Sequence, residues 1–584
     1  MSNGYPIMIK ELTKIIIDNK ITPFDKAAGT VIKPESKNLF ITKDAKLVHQ
    51  RTIRAVSEKF VLPSTDDLWH AFPLTDDPKE ILRRQEFFHL SLSKDVNNNS
   101  FLKSLKKPKS WWKPKYGVVV ATEDEKTYLN LTKADCPAQL LLTDNDLMSL
   151  ESYDLVQVVD CDNFSSSLER LPQSVFLSSS DDAYLERYLE LLSSWSANID
   201  VINSSGIINE RILNIVSKLS PALQLLKSDV VKKISLNDVD SALERINEGI
   251  SMRLELMNLS GASVFSMLSQ GKIPKEVLDI IESEISNSGI PTHLLKVSIP
   301  VRLDDSEFER FVKSQDSDEF TSIAEKVKLH SELLRAIPSL LSQLSQELLL
   351  FDFFSGIKQM IRNNDHHPSI SEKIHFNNLE NLFLEKPQPI NFYLDNASRC
   401  SILTGANSGG KTTLIEHLIQ AISIMNLGLP MRGGFQAPLF SEIYYFAKNK
   451  GSMTKGAFET LLTQMSDIKT SNNKTLILAD EIEAVTEPGV ASRLICATAE
   501  FFIKKGCFMI VATHLGQEIK DHLPPFSRID GIEAKGLSAD NELIVDHNPV
   551  IGRLARSTPE LIIEKMARGN NNDYLRFLGE KIKS

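Results

Sequence analysis

The chain has 584 residues, 42% of them hydrophobic and 24% charged, a balance that excludes intrinsic disorder and fibrous repeats and demands several domains rather than one core. A formal net charge of −10 excludes an overall basic nucleic-acid coat, although a local basic stripe is enough to hold phosphate. Five scattered cysteines (Cys136, Cys161, Cys400, Cys496, Cys507) show no close pairing of the kind that zinc sites and disulfide frameworks use, and fit a reducing compartment.

In chain order, the opening stretch is too broken in its apolar pattern for a signal peptide, and no segment reaches the ~18 apolar residues of a membrane span. Residues 1–46 read as a short N-terminal segment. From Val48 to about Leu92 the pattern is helical, with a turn over Phe72–Pro78 where Asp76 or Asp77 can cap a helix that starts at Pro78. Residues 47–100 form the first part of a helical core.

The stretch Lys103–Lys115 places six lysines around Trp111 and Trp112. It fits a nucleic-acid contact, but the favoured reading is a Pro-broken solvated loop whose tryptophans pack inward. Beyond it, Val118–Val120, Leu140–Leu142 and Val156–Val159 are short β-rich runs. They make 101–180 a loop followed by a small α/β insert.

From about Asp182 to Asn364 helical spacing dominates. Leu243, Ile246, Ile250, Leu254 and Met257 share one stripe, which core packing explains, and the long run Ile323–Ile361 is expected to bend or break at Pro338. Residues 181–370 are read as helical core, levers and clamp, 371–545 as an α/β domain, and 546–584 as a C-terminal helical segment suited to a dimer contact.

The chemistry lies in that α/β domain. Gly405-Ala406-Asn407-Ser408-Gly409-Gly410-Lys411-Thr412 has P-loop spacing, between the strand Ser401–Thr404 and a helix Thr413–Met425. Such glycines let backbone N–H groups curl around phosphate oxygens, Lys411 supplies a point charge for the β- and γ-phosphates, and Thr412 offers a hydroxyl to magnesium. The strand Thr475–Ala479 then ends in Asp480, a magnesium ligand directly or through water, and Glu481, which orients or deprotonates the attacking water. A third strand, Phe508–Val511, leads through Ala512-Thr513 to His514, placed to sense the γ-phosphate. The cofactors expected are ATP and Mg2+.

At these residues the sequence resembles the MutS family of DNA-processing ATPases, from about Leu47 onward. That family's loop, Gly-Pro-Asn-Met-Gly-Gly-Lys-Ser-Thr, agrees with Gly405–Thr413 at the glycines, Asn407, Lys411 and Thr413. Asp480-Glu481-Ile482, Thr486 and Ala512-Thr513-His514 resemble the family's acidic strand, threonine-bearing loop and histidine switch. Phe72–Gln85 resembles the entry to the lever and core, and Thr558–Ala567 the closing helix.

The resemblance implies an ABC-like α/β P-loop ATPase domain joined to a long, mainly α-helical lever and clamp region. It further implies a homodimer with interfacial ATP sites that grips DNA by structure rather than sequence, with no membrane role and a cytoplasmic, nucleoid-associated location. The clamp is expected within about Gly206–Pro300.

Departures from the pattern shape the expectation. The family's Ser-Thr-Phe signature stands here as Gly456-Ala457-Phe458, leaving Thr454 or Ser452 to substitute, and its Gly-Arg-Gly stands as Glu483-Ala484-Val485. Some 46 residues precede the core entry, where mismatch-reading and connector domains would each take ~100, and 17 residues follow Ala567. The expectation is therefore an ATP-driven clamp on branched or non-B-form DNA, in recombination or repair, without conventional mismatch recognition or a C-terminal nuclease module. An ABC- or cohesion-type ATPase is the alternative, though its Leu-Ser-Gly-Gly-Gln signature is missing; a second is an ATP-binding DNA scaffold with little turnover.

Overall fold

The computed structural model describes residues 4–26, 36–92, 99–109, 112–114, 117–227, 234–257, 261, 269, 271, 273–312, 327, 329–361, 365–405, 410–448, 455–468, 470, 474–482, 487–532, 534–537, 543–555, 566 and 573–583. The chain divides into two units, each discontinuous: 107–200 with 214–342, and 1–106 with 201–213 and 343–584. The sequence reading cut it into contiguous segments instead.

In the first of these units, four short strands make a parallel sheet in the order β2-β1-β3-β4, with β1 at Val118–Thr122, β2 at Ala138–Leu140, β3 at Leu155–Val158 and β4 at Ser174–Phe176. β1 is buried along its whole length, as a strand covered on both faces must be. Two of the expected runs form strands; the third is displaced, because β2 ends at Leu140 while Leu141 turns into the core and Leu142 faces solvent. Trp112 packs inward against Tyr184 with ring centroids 4.8 Å apart, as expected for the lysine-rich stretch, whereas Trp111 lies outside the described residues.

The helical part of this unit includes Leu236–Glu255, capped by Ser235 and Asp238 in a reciprocal box, and Lys275–Asn287. Ile246 and Ile250 of the predicted stripe are buried with Val277, Ile281 and Ile285, while Leu243, Leu254 and Met257 flank that cluster. A two-stranded hairpin, Leu295–Lys296 with Arg302–Leu303, lies within the mainly helical run.

Pro338 does not break its helix, which runs from Ser331 to Met360. A proline removes one N–H and crowds the carbonyl four residues back, but buried apolar side chains on both sides of it (Leu334, Ile337, Leu341, Leu344) hold the helix together. Pro221 sits likewise inside the helix Glu210–Lys227.

The other unit centres on a six-stranded sheet ordered β6-β7-β8-β5-β9-β10. Its strands are β5 (Cys400–Gly405), β6 (Glu442–Phe446), β7 (Thr475–Asp480), β8 (Phe508–Ala512), β9 (Ser527–Ile532) and β10 (Val550–Ile551). All neighbours pair in parallel except β9 with β10. β7 and β8 are wholly buried, matching their continuous apolar runs.

The helix Lys411–Leu427 follows β5 and is buried nearly all round. An antiparallel pair at Ile374–Leu379 and Ile390–Leu394 lies beside it; alternation buries Ile390, Phe392 and Leu394 and exposes Asn391 and Tyr393. The expected domain boundary at 545 falls inside this unit, because β10 joins the sheet and the Ala555 N–H reaches the Thr404 hydroxyl at 3.2 Å.

The N-terminal residues are built into the same unit. The helix Gly4–Asp18 buries Met8, Leu12 and Ile16. Leu39–Ile41 then lies along β6: the Ile41 N–H bonds the Ile443 carbonyl at 2.9 Å, and the Ile443 N–H bonds the Leu39 carbonyl at 2.9 Å. This covers an otherwise open sheet edge.

Thr42 exchanges hydrogen bonds with the backbone of Tyr445 and caps the helix Lys43–Ser57. The helix Pro78–Leu92 begins at its proline as expected, with Asp77 accepting from the Lys79 N–H at 3.0 Å. A buried carboxylate, Asp352, ties the elements together by accepting from the Val61 and Leu62 N–H groups, the Thr65 hydroxyl and the Asn99 amide. Every acceptor position is engaged, which compensates for the burial.

Candidate functional site

Three parallel strands end side by side. β8 lies between β5 and β7, with Ala512 paired to Leu403 on one side and Asp480 on the other, so the tips of the three bear Gly405, Asp480-Glu481 and Thr513-His514. This is the carboxyl end of a parallel sheet, where α/β folds bind their ligands.

Gly405 has φ +130°, and a Cβ there would lie 2.3 Å from the Ile532 carbonyl oxygen, so only glycine fits. The helix begins at Lys411, two residues earlier than its apolar pattern predicts, because Gly410 at φ +92° supplies the left-handed turn into it. Ala406, Asn407, Ser408 and Gly409 lie outside the described residues.

Lys411 is 3% exposed, and its Nζ donates to the Gly405 carbonyl at 2.6 Å, across the mouth of the loop. The next residue, Thr412, donates its hydroxyl to Asp480 Oδ2 at 2.6 Å. The other oxygen of Asp480, Oδ1, is buried without a hydrogen-bond partner among the described residues. Burial pushes the Asp480 carboxyl above the usual carboxylate range, the Thr412 hydroxyl opposes this, and Glu481 adds to it. A buried carboxylate with one unsatisfied oxygen beside a threonine hydroxyl suits a hard divalent cation and its waters.

Glu481 sits at φ +48°, a conformation costly for a residue with a side chain. Its N–H bonds the Ala512 carbonyl at 2.9 Å, which turns the carboxylate toward β8. There Oε1 meets His514 Nε2 at 2.7 Å, and Oε2 pairs with Lys448 Nζ. Burial raises the Glu481 carboxyl, but the hydrogen bonds from Lys448 and His514 outweigh it and hold it below its ordinary range. His514 thus rests on the glutamate. The Thr513 N–H bonds the Leu403 carbonyl at 3.0 Å, fixing the turn that carries the imidazole.

Beside the start of the helix opens a cleft of about 340 Å³, lined by Gly410–Leu414, Leu384, Ile390, Gln388 and His547 among others. Gln388 donates to Asp546 at 2.8 Å and accepts from the His547 N–H at 3.3 Å, joining the two walls. His417 also lines the cleft; burial lowers its imidazole to about 4, so it is neutral at pH 7.

No family model matches the chain. Over 578 residues it is 27% identical to the DNA-binding protein MutS2 of Pyrococcus furiosus, an alignment that takes in 92% of this chain and 98% of that one. The DNA mismatch repair protein MutS of Thermotoga maritima is 26% identical over 231 residues, 36% of this chain and 28% of that one. The endonuclease MutS2 of Caldanaerobacter subterraneus subsp. tengcongensis is 26% identical over 200 residues, 33% of this chain and 23% of that one. These matches support membership of the MutS family.

Other motifs on which the MutS resemblance rests fall partly outside the described residues: Thr486, Glu483-Ala484-Val485, Ser452, Thr454 and, except for Met566, Thr558–Ala567. Gly456-Ala457-Phe458 opens the helix Lys455–Ser466. Sequence reasoning missed Lys448, Gln388 and His547. The first could have been found from strand order: β6 pairs with β7 at Phe446 and Ala479, which puts the residue two beyond Phe446 level with Glu481. Nothing local marks the other two.

Proposed function

We propose that this protein is a MutS-like DNA-binding ATPase, an ATP-driven dimeric clamp acting on branched or non-B-form DNA in recombination or repair. The observation that carries the reading is the gathering of Lys411, Thr412 and Asp480 at one end of the sheet with Glu481 and His514 beside them. The names of the relatives, a DNA-binding protein and a mismatch repair protein, favour DNA as the partner. An ABC-like P-loop ATPase domain over 371–545 and a lever and clamp over 181–370 belong to the same reading. Three of the described helices, Glu186–Ser204, Glu210–Lys227 and Ser331–Met360, carry residues of both units, as levers would.

In this reading the loop 405–413 holds the phosphates of ATP, with the helix N-terminus and Lys411 meeting their charge. Lys411 exchanges the Gly405 carbonyl for the β- and γ-phosphates. Thr412 and Asp480 hold magnesium, which neutralises charge developing on the phosphates. The cleft beside Leu384, Ile390 and His547 takes the nucleoside.

Glu481, steered by His514, orients the attacking water. The water oxygen bonds to the γ-phosphorus as the bond to the β,γ-bridging oxygen breaks, and ADP and phosphate leave. The two sites lie at a homodimer interface, so that ATP closes the clamp and hydrolysis reopens it.

Lys411→Ala is expected to weaken ATP binding about a hundredfold by calorimetry; unchanged affinity would remove the phosphate assignment. Duplex, mismatched, forked and four-way junction DNA, compared at one stated salt, should separate in affinity by about tenfold or more, with the junction and fork bound tightest. Equal weak binding to all four would remove the branched-DNA assignment. Sedimentation with and without nucleotide tests the dimer. A second reading, an ATP-binding scaffold with little turnover, is favoured by the engagement of both Glu481 oxygens.

A further inference from the structure

Glu481 has a partner on each oxygen, yet a carboxylate that orients water needs a lone pair free to face it. Its two partners differ. His514 leaves from the tip of the adjacent strand β8 and meets Oε1 at 2.7 Å, whereas Lys448 comes from beyond the end of β6, is 47% exposed, and pairs with Oε2. The ammonium end of this pair lies open to solvent and is screened there, so the contact is easily given up. Its carboxylate end, however, is 10% exposed and held at φ +48°, beside the Asp480 carboxylate, on the side of the sheet where Lys411 and Thr412 begin their helix.

A lysine ammonium on a four-carbon stem can swing by several ångströms. A terminal phosphate carries more negative charge than a carboxylate and offers three oxygens, so it competes for such a cation effectively.

We propose that Lys448 is a positioning residue that latches Glu481 in the nucleotide-free protein and transfers to the terminal phosphate of a bound nucleoside triphosphate, releasing the carboxylate to the water. The inference rests on the ATPase reading and adds to it a residue that tells tri- from diphosphate. Two lysines then serve the nucleotide in sequence. Lys411 meets any polyphosphate, and Lys448 responds only to the third phosphate.

The test compares Mg2+ with AMP-PNP and Mg2+ with ADP, binding each to the full-length chain by calorimetry. Lys448→Met is expected to weaken AMP-PNP about tenfold while leaving ADP within twofold, and Lys448→Arg to restore most of the difference. Opening the latch from the other side, Glu481→Gln should strengthen AMP-PNP binding more in the wild-type background than in Lys448→Met.

If Lys448→Met leaves the ratio of the two affinities at its wild-type value, or if the Glu481→Gln gain is the same in both backgrounds, the transfer does not occur, and the ATPase reading stands without it. If the wild-type chain binds neither nucleotide, the ATPase reading falls and takes this inference with it. A matching thermal unfolding midpoint for Lys448→Met and wild type separates either result from loss of fold.

Discussion

Two sheets in this chain carry acidic residues at the ends of parallel strands, and they use them differently. In the four-stranded sheet, Glu123 follows β1 and accepts from the Asn163 and Phe164 N–H groups, the Asn163 amide and the Cys161 thiol. Burial works against its charge, but those donors outweigh burial and hold the carboxyl at about 2. In the six-stranded sheet, Asp480 keeps an oxygen without a partner among the described residues, and the Glu481 carboxylate is held by two side chains rather than by backbone. A carboxylate at a strand tip is therefore not in itself a site. Donors from fixed backbone close one loop onto its strand, whereas orphaned or side-chain-held oxygens leave the other open to a ligand.

The contrast can be broken by experiment, starting with the largest effect. Glu481→Gln should cut ATP turnover a hundredfold or more, roughly 3 kcal/mol or above in the barrier, while the protein stays folded. Unchanged turnover would favour the scaffold reading. Next, Glu123→Gln should destabilise the protein by about 2 kcal/mol near neutral pH, less than its donors would give in a dry site because solvent screens the carboxylate, measured by urea unfolding with nucleotide affinity untouched.

That stability has a defined pH window. The folded carboxyl titrates at about 2 and the reference value is 4.5, so the contribution is complete above the unfolded value and is lost as pH falls through the folded one. The gap between Glu123→Gln and wild type should close over that window. The smallest effect is on metal dependence: Asp480→Asn keeps an acceptor for Thr412 but loses the charge, and should reduce the Mg2+ enhancement of nucleotide binding about tenfold. An equal Mg2+ response in the variant would show that Asp480 resembles Glu123 after all.

Much of the large sheet was legible because wholly buried strands write themselves as unbroken apolar runs, and because glycines at Gly405 and Gly410 mark backbone that other residues cannot adopt. Of the bend or break expected at Pro338, the break does not occur, because helix continuity there is set by tertiary burial, which outweighs one missing hydrogen bond. Lys448 was not legible for a different reason. Its partner is a strand neighbour 33 residues on, and only the order β6-β7-β8-β5 brings the two together. Leu39–Ile41 was equally silent, since three apolar residues carry no periodicity, and their pairing partner lies at the far end of the sequence.

That last pairing sets an order of events during synthesis. Thr42 and Tyr445 are 403 positions apart, so the arm that seals β6 leaves the ribosome long before the strand it will cover. Until β6 emerges, the arm has no place to dock, and in any molecule where docking fails, the flank from which Lys448 springs stays open to pairing with foreign chains. Trimming residues 1–41 should thus show itself first as self-association of the nascent product, before any loss of nucleotide chemistry is measured.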